Sequence, residues 1–393
     1  MSRLHSLLHG GWRGNQTLYR LLSRLPGRSA SFGPPRAKAM AADYAATHRL
    51  HSVEALPAQT HPRSVARWFG PVHNLAACWR ETPLPPVQVL SLPGGRLLWP
   101  ESSVVTADDT LLTDTSFWAL CDHGSLHRHP LSLRWRAPPQ HHLAGRVLSL
   151  ASDHAHNSFG HFLLDALPRL AYVQRAGYSL DDFQWIVLPH PPSVTVDRLI
   201  AAAKLPRDRL INPQLREDFV CDELVCTTFP GKPGIYSPEL PGFYRKLLGL
   251  ENTRGHRRIY LSRQRQTRRR LANAGEIEAV LARHGFETVY PESDHDIIQK
   301  CAEAAFIVGI EGSNFTNQVF SPPGGAVLLL LASNWTDLPY VYTVAAAAGK
   351  NVFALNCEPV IDPADTRSHW TNPYDLNVDP ALIDTALTAM LAT

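Results

Sequence analysis

Residues 306–331 limit the fold more than any other stretch of this 393-residue chain. The β-branched run Phe306-Ile307-Val308 leads into Gly309-Ile310-Glu311-Gly312-Ser313-Asn314-Phe315-Thr316-Asn317. Then come Val319-Phe320, the turn Pro322-Pro323-Gly324-Gly325 and the apolar run Val327-Leu328-Leu329-Leu330-Leu331. That order reads as strand, glycine-bearing turn, short helix, turn and strand. It puts a helix N-terminus at the carboxyl end of a buried parallel strand, where open α/β sheets bind ligands. Free backbone N–H groups and the positive end of the helix dipole favour an anion there. Upstream, residues 254–270 hold eight arginines and no carboxylate, so a phosphate is the natural guest. An ordinary turn in a Rossmann-like core is the simpler alternative.

The length allows two domains, each with its own core. A hydrophobic content of 44% and a charged content of 19% fit a globular enzyme, and a net charge of +3 does not indicate a nucleic-acid binder. Cys78, Cys121, Cys221, Cys226, Cys301 and Cys357 form no CxxC pair, so reduced thiols in a cytoplasmic protein are expected rather than disulfides or a structural zinc site. The sequons at Asn15, Asn314 and Asn334 are read as chance, because a glycan on Asn314 would obstruct the turn. No run reaches the roughly 20 apolar residues that span a bilayer.

Residues 1–42 carry six arginines and one lysine but no carboxylate, and Leu18–Leu25 places basic residues between apolar ones at helical spacing. A disordered tail is the simplest reading, with peripheral contact to an anionic membrane surface as the functional one. Short strands follow from Val87 to about Leu150, a β-rich segment expected to lie over a domain edge. Strand Val147–Leu150 opens onto His154-Ala155-His156-Asn157-Ser158-Phe159-Gly160-His161 and a helix on which His161 and Asp165 share one face, with Pro168 as a bend or boundary. Strand–helix alternation continues to about residue 230 and implies a parallel sheet. Gly231–Gly242, rich in glycine and proline, is the expected hinge. A second alternation runs from strand Arg258–Ser262 to helix Pro380–Leu391. The predicted architecture is therefore α/β: a tail (1–42), an N-terminal Rossmann-like domain with the β-rich segment (43–235) and a C-terminal Rossmann-like domain (236–393).

Three constellations carry chemistry. Arg263, Arg265, Arg268, Arg269 and Arg270 follow a strand end, and guanidinium forks suit phosphate oxygens. Without interleaved aromatics the cluster does not read as a nucleic-acid patch. His154, His156 and His161 with Asp165 are candidate acid, base or substrate contacts; as metal ligands they would indicate a metal-dependent hydrolase. Asp294-His295-Asp296 has the form of a DxD metal–diphosphate motif, although helix capping explains it more simply.

Together these pieces resemble glycosyltransferase family 61, which includes bacterial capsular polysaccharide biosynthesis proteins. The resemblance rests on Asn157–Leu170, on Ile259–Arg263 with Arg269-Arg270-Leu271, Asn273 and Glu276, and on Gly285-Phe286-Glu287, Pro291-Glu292 and Gln299. It ends on Gly309–Asn317 with Phe320 and Pro323-Gly324. It implies a GT-B fold, two Rossmann-like domains facing across a cleft, and inverting transfer of a sugar from a nucleotide-sugar to an acceptor hydroxyl without a bound metal or other cofactor. Donor contacts would be Arg263, Arg268, Arg269, Asn273, Gly312, Ser313, Asn314 and Asn317, and acceptor contacts His156, Asn157 and Arg169. Asp165, His161 and Glu311 are the catalytic candidates, with Asp165 ranked first as base. The implied acceptor is a glycan, free or lipid-linked, in capsular, exo- or lipopolysaccharide assembly, at the cytoplasmic side of the plasma membrane and with no nucleic-acid partner. Two departures stand out. The family commonly has His-Gly-Ala where this chain has Glu311-Gly312-Ser313, and Asn-Glu where it has Asn273-Ala274. A glutamate facing a diphosphate would be repelled, so a binding or scaffold protein that has lost catalysis is the alternative.

Overall fold

The computed structural model describes residues 35–62, 66–71, 81–116, 131, 139–213, 216–232, 234–335, 340–361 and 374–393. The Leu18–Leu25 helix, the Asn15 sequon, Cys78 and Cys121 lie outside the described residues. Among the described residues the architecture is mixed α/β, with a ten-stranded and a seven-stranded sheet and two small two-stranded ones.

The seven-stranded sheet is built on the stretch that dominates the sequence. Its parallel strands run in the order Glu287–Val289, Arg257–Leu261, Ala304–Ile310, Ala326–Ala332 and Asn351–Val360, with Asp375–Asn377 antiparallel at the far end. Every residue of Ala326–Ala332 is buried, as expected of a strand covered on both faces. Numbered along the chain, the parallel strands have the order 2-1-3-4-5. The switch point lies between the ends of Arg257–Leu261 and Ala304–Ile310, where such sheets bind ligands.

In the ten-stranded sheet, Asp218–Thr227, Gln140–Ser149, Trp185–Val187 and Leu210–Ile211 run parallel. The β-rich segment does not lie over a domain edge as expected. Val87–Pro93 and Arg96–Leu98 both pair antiparallel with Asp218–Thr227 and so extend the same sheet. The side chains of this region are apolar enough to suit an internal strand as well as a separate layer; Val89, Leu90, Leu92 and Leu97 are all buried.

Three boundaries differ from the sequence expectation. Secondary structure is present within the predicted tail: Ala37–Ala39 pairs with Thr110–Leu112, and the helix Ala41–His48 starts where the Ala41 N–H donates to Asp114 Oδ1 at 2.9 Å. Arg67–Phe69, assigned by position to the first half, hydrogen-bonds to Phe353–Leu355 of the second sheet. The expected hinge is a hairpin, Gly231–Lys232 with Ile235–Tyr236, followed by the helix Leu240–Leu247. That helix carries the fully buried Tyr244, whose hydroxyl donates to the Leu163 carbonyl at 2.7 Å while its ring meets Phe320 edge-on.

Among the described residues no helix is long and apolar enough to cross a membrane. Cys221, Cys226, Cys301 and Cys357 are buried free thiols.

Candidate active site

The first motif grows out of the carboxyl end of Gln140–Ser149. His154 sits in the left-handed region at φ 62°, an uncommon position for a residue with a Cβ. Its carbonyl accepts from the N–H groups of Asn157 and Ser158 at 3.2 and 2.9 Å, closing the turn. Ser158 then caps the short helix Phe159–His161 through its side chain. The chain widens into a π-helix over Phe162–Ala166, with Leu167 N–H donating to the Phe162 carbonyl at 3.1 Å. Pro168 has no N–H to give the Leu164 carbonyl, so the helix wall is released at this point, as π-turns at functional sites often are. The bend or boundary expected at Pro168 is a boundary: the π-helix ends at Ala166, and Pro168 is the N-cap of the next helix, Arg169–Arg175.

On this wide turn His161 Nδ1 and Asp165 Oδ2 are 2.6 Å apart. The His161 side chain is 25% exposed and Asp165 is fully buried, so the imidazole is the half of the pair that can meet a substrate. Burial disfavours the charged ring, but the charge and hydrogen bond of Asp165, with help from Asp153, prevail and raise the His161 pKa above its ordinary value. The His154 ring lies 5.4 Å from that of His161. Burial, and then the neighbouring His161 and His156, lower its pKa. His156 is set edge-on to the buried Trp99, and burial lowers its pKa too. Asn157 is exposed beside them.

Arg169 does not line this surface, contrary to expectation. It is 2% exposed and donates to the carbonyls of Asp165, Thr227 and Thr115. Its role is to tie the motif helix to the end of strand Asp218–Thr227.

The second motif sits at the switch point of the other sheet. Gly312, at φ 144°, adopts a conformation that side-chain-bearing residues rarely reach. A Cβ on it would lie 2.8 Å from the Arg263 guanidinium and 3.3 Å from Cζ of Arg269, so both cations converge on this one backbone position. Arg269, itself at φ 56°, donates to the Glu311 carbonyl at 3.1 Å and stands 5.7 Å from the Trp335 ring. Arg263 is 4% exposed and reaches the carbonyl of the exposed Arg268. Glu311 is 1% exposed. Burial drives its pKa up, Arg269 and Arg263 pull it down, and the net result is about 8.

The expected short helix is a 3₁₀-helix, Ser313–Phe320. Asn314 donates to the Ser262 carbonyl and to Glu292, and Asn317, buried, donates to the Asn314 carbonyl at 2.8 Å. Asn273 is a correction: its amide donates to the Val378 carbonyl at 2.8 Å and its oxygen accepts from Val378 N–H. The residue has the right neighbours in sequence, but its side chain is spent on tying the start of helix Ala274–Arg283 to the backbone of Val378. Asp294 accepts from Asp296 N–H and from Lys300 Nζ, both at 2.8 Å, so the DxD stretch starts a helix, with Asp294 rather than Asp296 as the acceptor.

The two motifs meet. Ser158 and Ser313 hydroxyls are 3.5 Å apart, and Gly160 faces Ser313 and Thr316, whose atoms would lie 3.4 Å from a Cβ on the glycine. Sequence reasoning missed two contributors: Tyr244, which bridges the π-helix and the 3₁₀-helix, and the Arg265–Tyr290 stack at 4.1 Å beside the turn. Tyr290 directly follows the strand Glu287–Val289, two residues before Glu292, which was the one signal available for the stack. Among the described residues no three His, Cys, Asp or Glu side chains converge as a metal-binding group. The histidine set is instead organised around the His161–Asp165 hydrogen bond.

No curated protein matches the chain. The family model Glycosyltransferase 61 matches residues 159–328. That span holds His161, Asp165, Arg263, Arg269 and the Glu311–Asn317 turn, so the similarity to glycosyltransferase family 61 falls on the residues that form the site.

Proposed function

We propose that the protein is an inverting glycosyltransferase of GT-B type, moving a sugar from a nucleotide-sugar to a hydroxyl of a glycan acceptor. The observation that carries this is the abutment of a paired imidazole–carboxylate on one sheet against a two-arginine turn on the other. Inverting transfer needs a base within about 3 Å of the acceptor hydroxyl and positive charge on the departing phosphate. His161 suits the first task. Its outer nitrogen takes the acceptor proton while Asp165 holds the ring and stabilises the imidazolium. Asp165 is thus a positioning group, which reverses its ranking as base. Arg263 and Arg269 suit the second task, with Ser313 and Asn314 beside them; the nucleoside would extend toward Tyr290 and Glu292.

Because guanidiniums meet the leaving charge, transfer is expected to proceed without a divalent ion. His154, His156 and Asn157 would form the acceptor edge, in a glycan of surface polysaccharide assembly. A panel of UDP-, GDP-, CMP- and dTDP-sugars, assayed for transfer and hydrolysis with and without chelator, tests the reading. Turnover of one donor, unaffected by chelator, is the expected result. Binding of a donor with neither transfer nor hydrolysis would favour the inactive binding protein, and no binding of any would remove the donor site.

A further inference from the structure

A carboxylate packed beside two guanidiniums ordinarily takes their hydrogen bonds. Glu311 does not. Both of its oxygens are buried without a hydrogen-bond partner among the described residues, and Arg269 bonds to the Glu311 backbone carbonyl instead. The charged groups acting on the carboxyl are Arg269 and Arg263, from the loop after Arg257–Leu261. Among the described residues, the flanking segments Ala326–Ala332 and Ser313–Phe320 carry no titratable side chain. A group in this position has no solvent to stabilise its charge, and the two cations are its compensation. When an anion takes those cations, the compensation is spent, and a second negative charge beside it is costly.

We propose that Glu311 carries a proton whenever the donor's phosphates occupy the Arg263–Arg269 cradle, so that ionised Glu311 must take up one proton as the anion binds. The inference rests on the donor reading given above. It makes Glu311 a positioning residue that acts through the arginines: the charge the cradle presents is one unit more positive when the carboxyl is neutral than when it is ionised. At neutral pH the carboxyl of the free protein is already protonated, in keeping with its raised pKa of about 8. Coupling therefore becomes visible on the alkaline side, where the free protein loses the proton and binding has to restore it. A neutral carboxyl also explains how the cradle tolerates a glutamate where a diphosphate would otherwise be repelled.

The test is calorimetric titration of the wild type and Glu311→Gln with whichever nucleotide-sugar of the panel binds, at pH 7 and pH 9, in two buffers of different ionisation heat. Wild-type affinity is expected to fall about tenfold across that interval, with close to one proton taken up at pH 9. The isosteric amide should show neither effect, and ionisation of the nucleotide itself is common to both proteins. Glu311→Ala serves as a second proton-free variant if the amide does not fold. Parallel profiles in wild type and variant, with binding intact, would overturn the coupling and leave the donor site standing. Absence of binding by the wild type at either pH would overturn both.

Discussion

The two halves of the site answer the same problem, a charged group held in a crevice at the end of a sheet, in opposite ways. On the first sheet the motif's charges are partnered: His161 holds Asp165 at 2.6 Å, and Arg169 is engaged by three carbonyls. On the second, two guanidiniums converge on Gly312 beside a carboxyl whose oxygens accept no hydrogen bond from the described residues. A closed pair fixes one ring in one tautomer and orientation, which is what proton transfer requires. Two guanidiniums turned toward one glycine at a strand end suit an anion that arrives from outside. The difference separates the expected consequences of mutation. Damage to the first half should appear in kcat and its pH profile, and damage to the second in donor affinity.

The largest effect should come from His161→Ala. Loss of a general base lowers turnover by about 10² to 10⁴, and donor affinity measured by titration should be nearly unchanged. If affinity fell and turnover of bound donor did not, the two halves would have exchanged roles. Arg269→Ala should do the reverse, weakening the donor by roughly 10- to 100-fold, the loss of one or two charge-assisted hydrogen bonds, with a smaller change in turnover at saturation.

Asp165→Asn sharpens the first half further. Burial disfavours the His161 imidazolium, and it is chiefly the charge and hydrogen bond of Asp165 that raise the pKa of the ring. The base works unprotonated, so activity should rise with pH through that pKa. Neutralising residue 165 removes the support, and the acid limb of the profile should move to lower pH as maximal turnover drops. A limb that stayed in place would detach Asp165 from the titration of His161.

Glu311→Gln probes the second half through folding. The folded pKa of about 8 lies above the ordinary value of 4.5, so the folded protein binds this proton more tightly than the unfolded chain. Stability is then full below about pH 4.5, declines as pH rises toward 8 and is level above that, falling by about 1.4 kcal/mol for each pH unit crossed between the two values. Denaturant titrations of wild type and variant at pH 5 and pH 8 should show a gap opening in favour of the glutamine as pH rises. A gap that shrank would mean that Glu311 is ionised and paired in the native state.

Much of this contrast was legible in the sequence, because it depends on strands and local turns. The apolar run Val327–Leu331 forces a buried strand. Gly312 between Glu311 and Ser313 marks the sharp turn, and the four-residue spacing of His161 and Asp165 puts them within reach of each other. What was hidden depends on which side chains spend their polar groups on distant backbone. Arg169 and Asn273 stand in the right motifs, yet their partners, Thr227 and Thr115 for one and Val378 for the other, come from elements far along the chain. Nothing in a motif's spacing shows that a neighbouring strand end will absorb its donors. The same holds for Arg67–Phe69, which crosses to the second sheet by backbone pairing alone.

The smallest expected effect lies where the two halves are tied. Gly231–Gly242 reads as a hinge because glycine and proline punctuate it, but the helix that begins within it drives Tyr244 between the two motifs. The tyrosine hydroxyl holds the carbonyl of Leu163 inside the π-helix, and its ring packs on Phe320 at the end of the 3₁₀-helix. Tyr244→Phe keeps the ring contact and removes only the donor, leaving a buried carbonyl short of one partner at about 1–2 kcal/mol. The loss should fall on the first half, because the freed carbonyl belongs to Leu163, midway in the chain between His161 and Asp165. A modest drop in melting temperature, a fall in turnover of a few fold and an unchanged donor affinity are the expected results. An equal loss of donor affinity would show instead that the ring and hydroxyl act as a single coupling between the proton-moving and anion-holding halves.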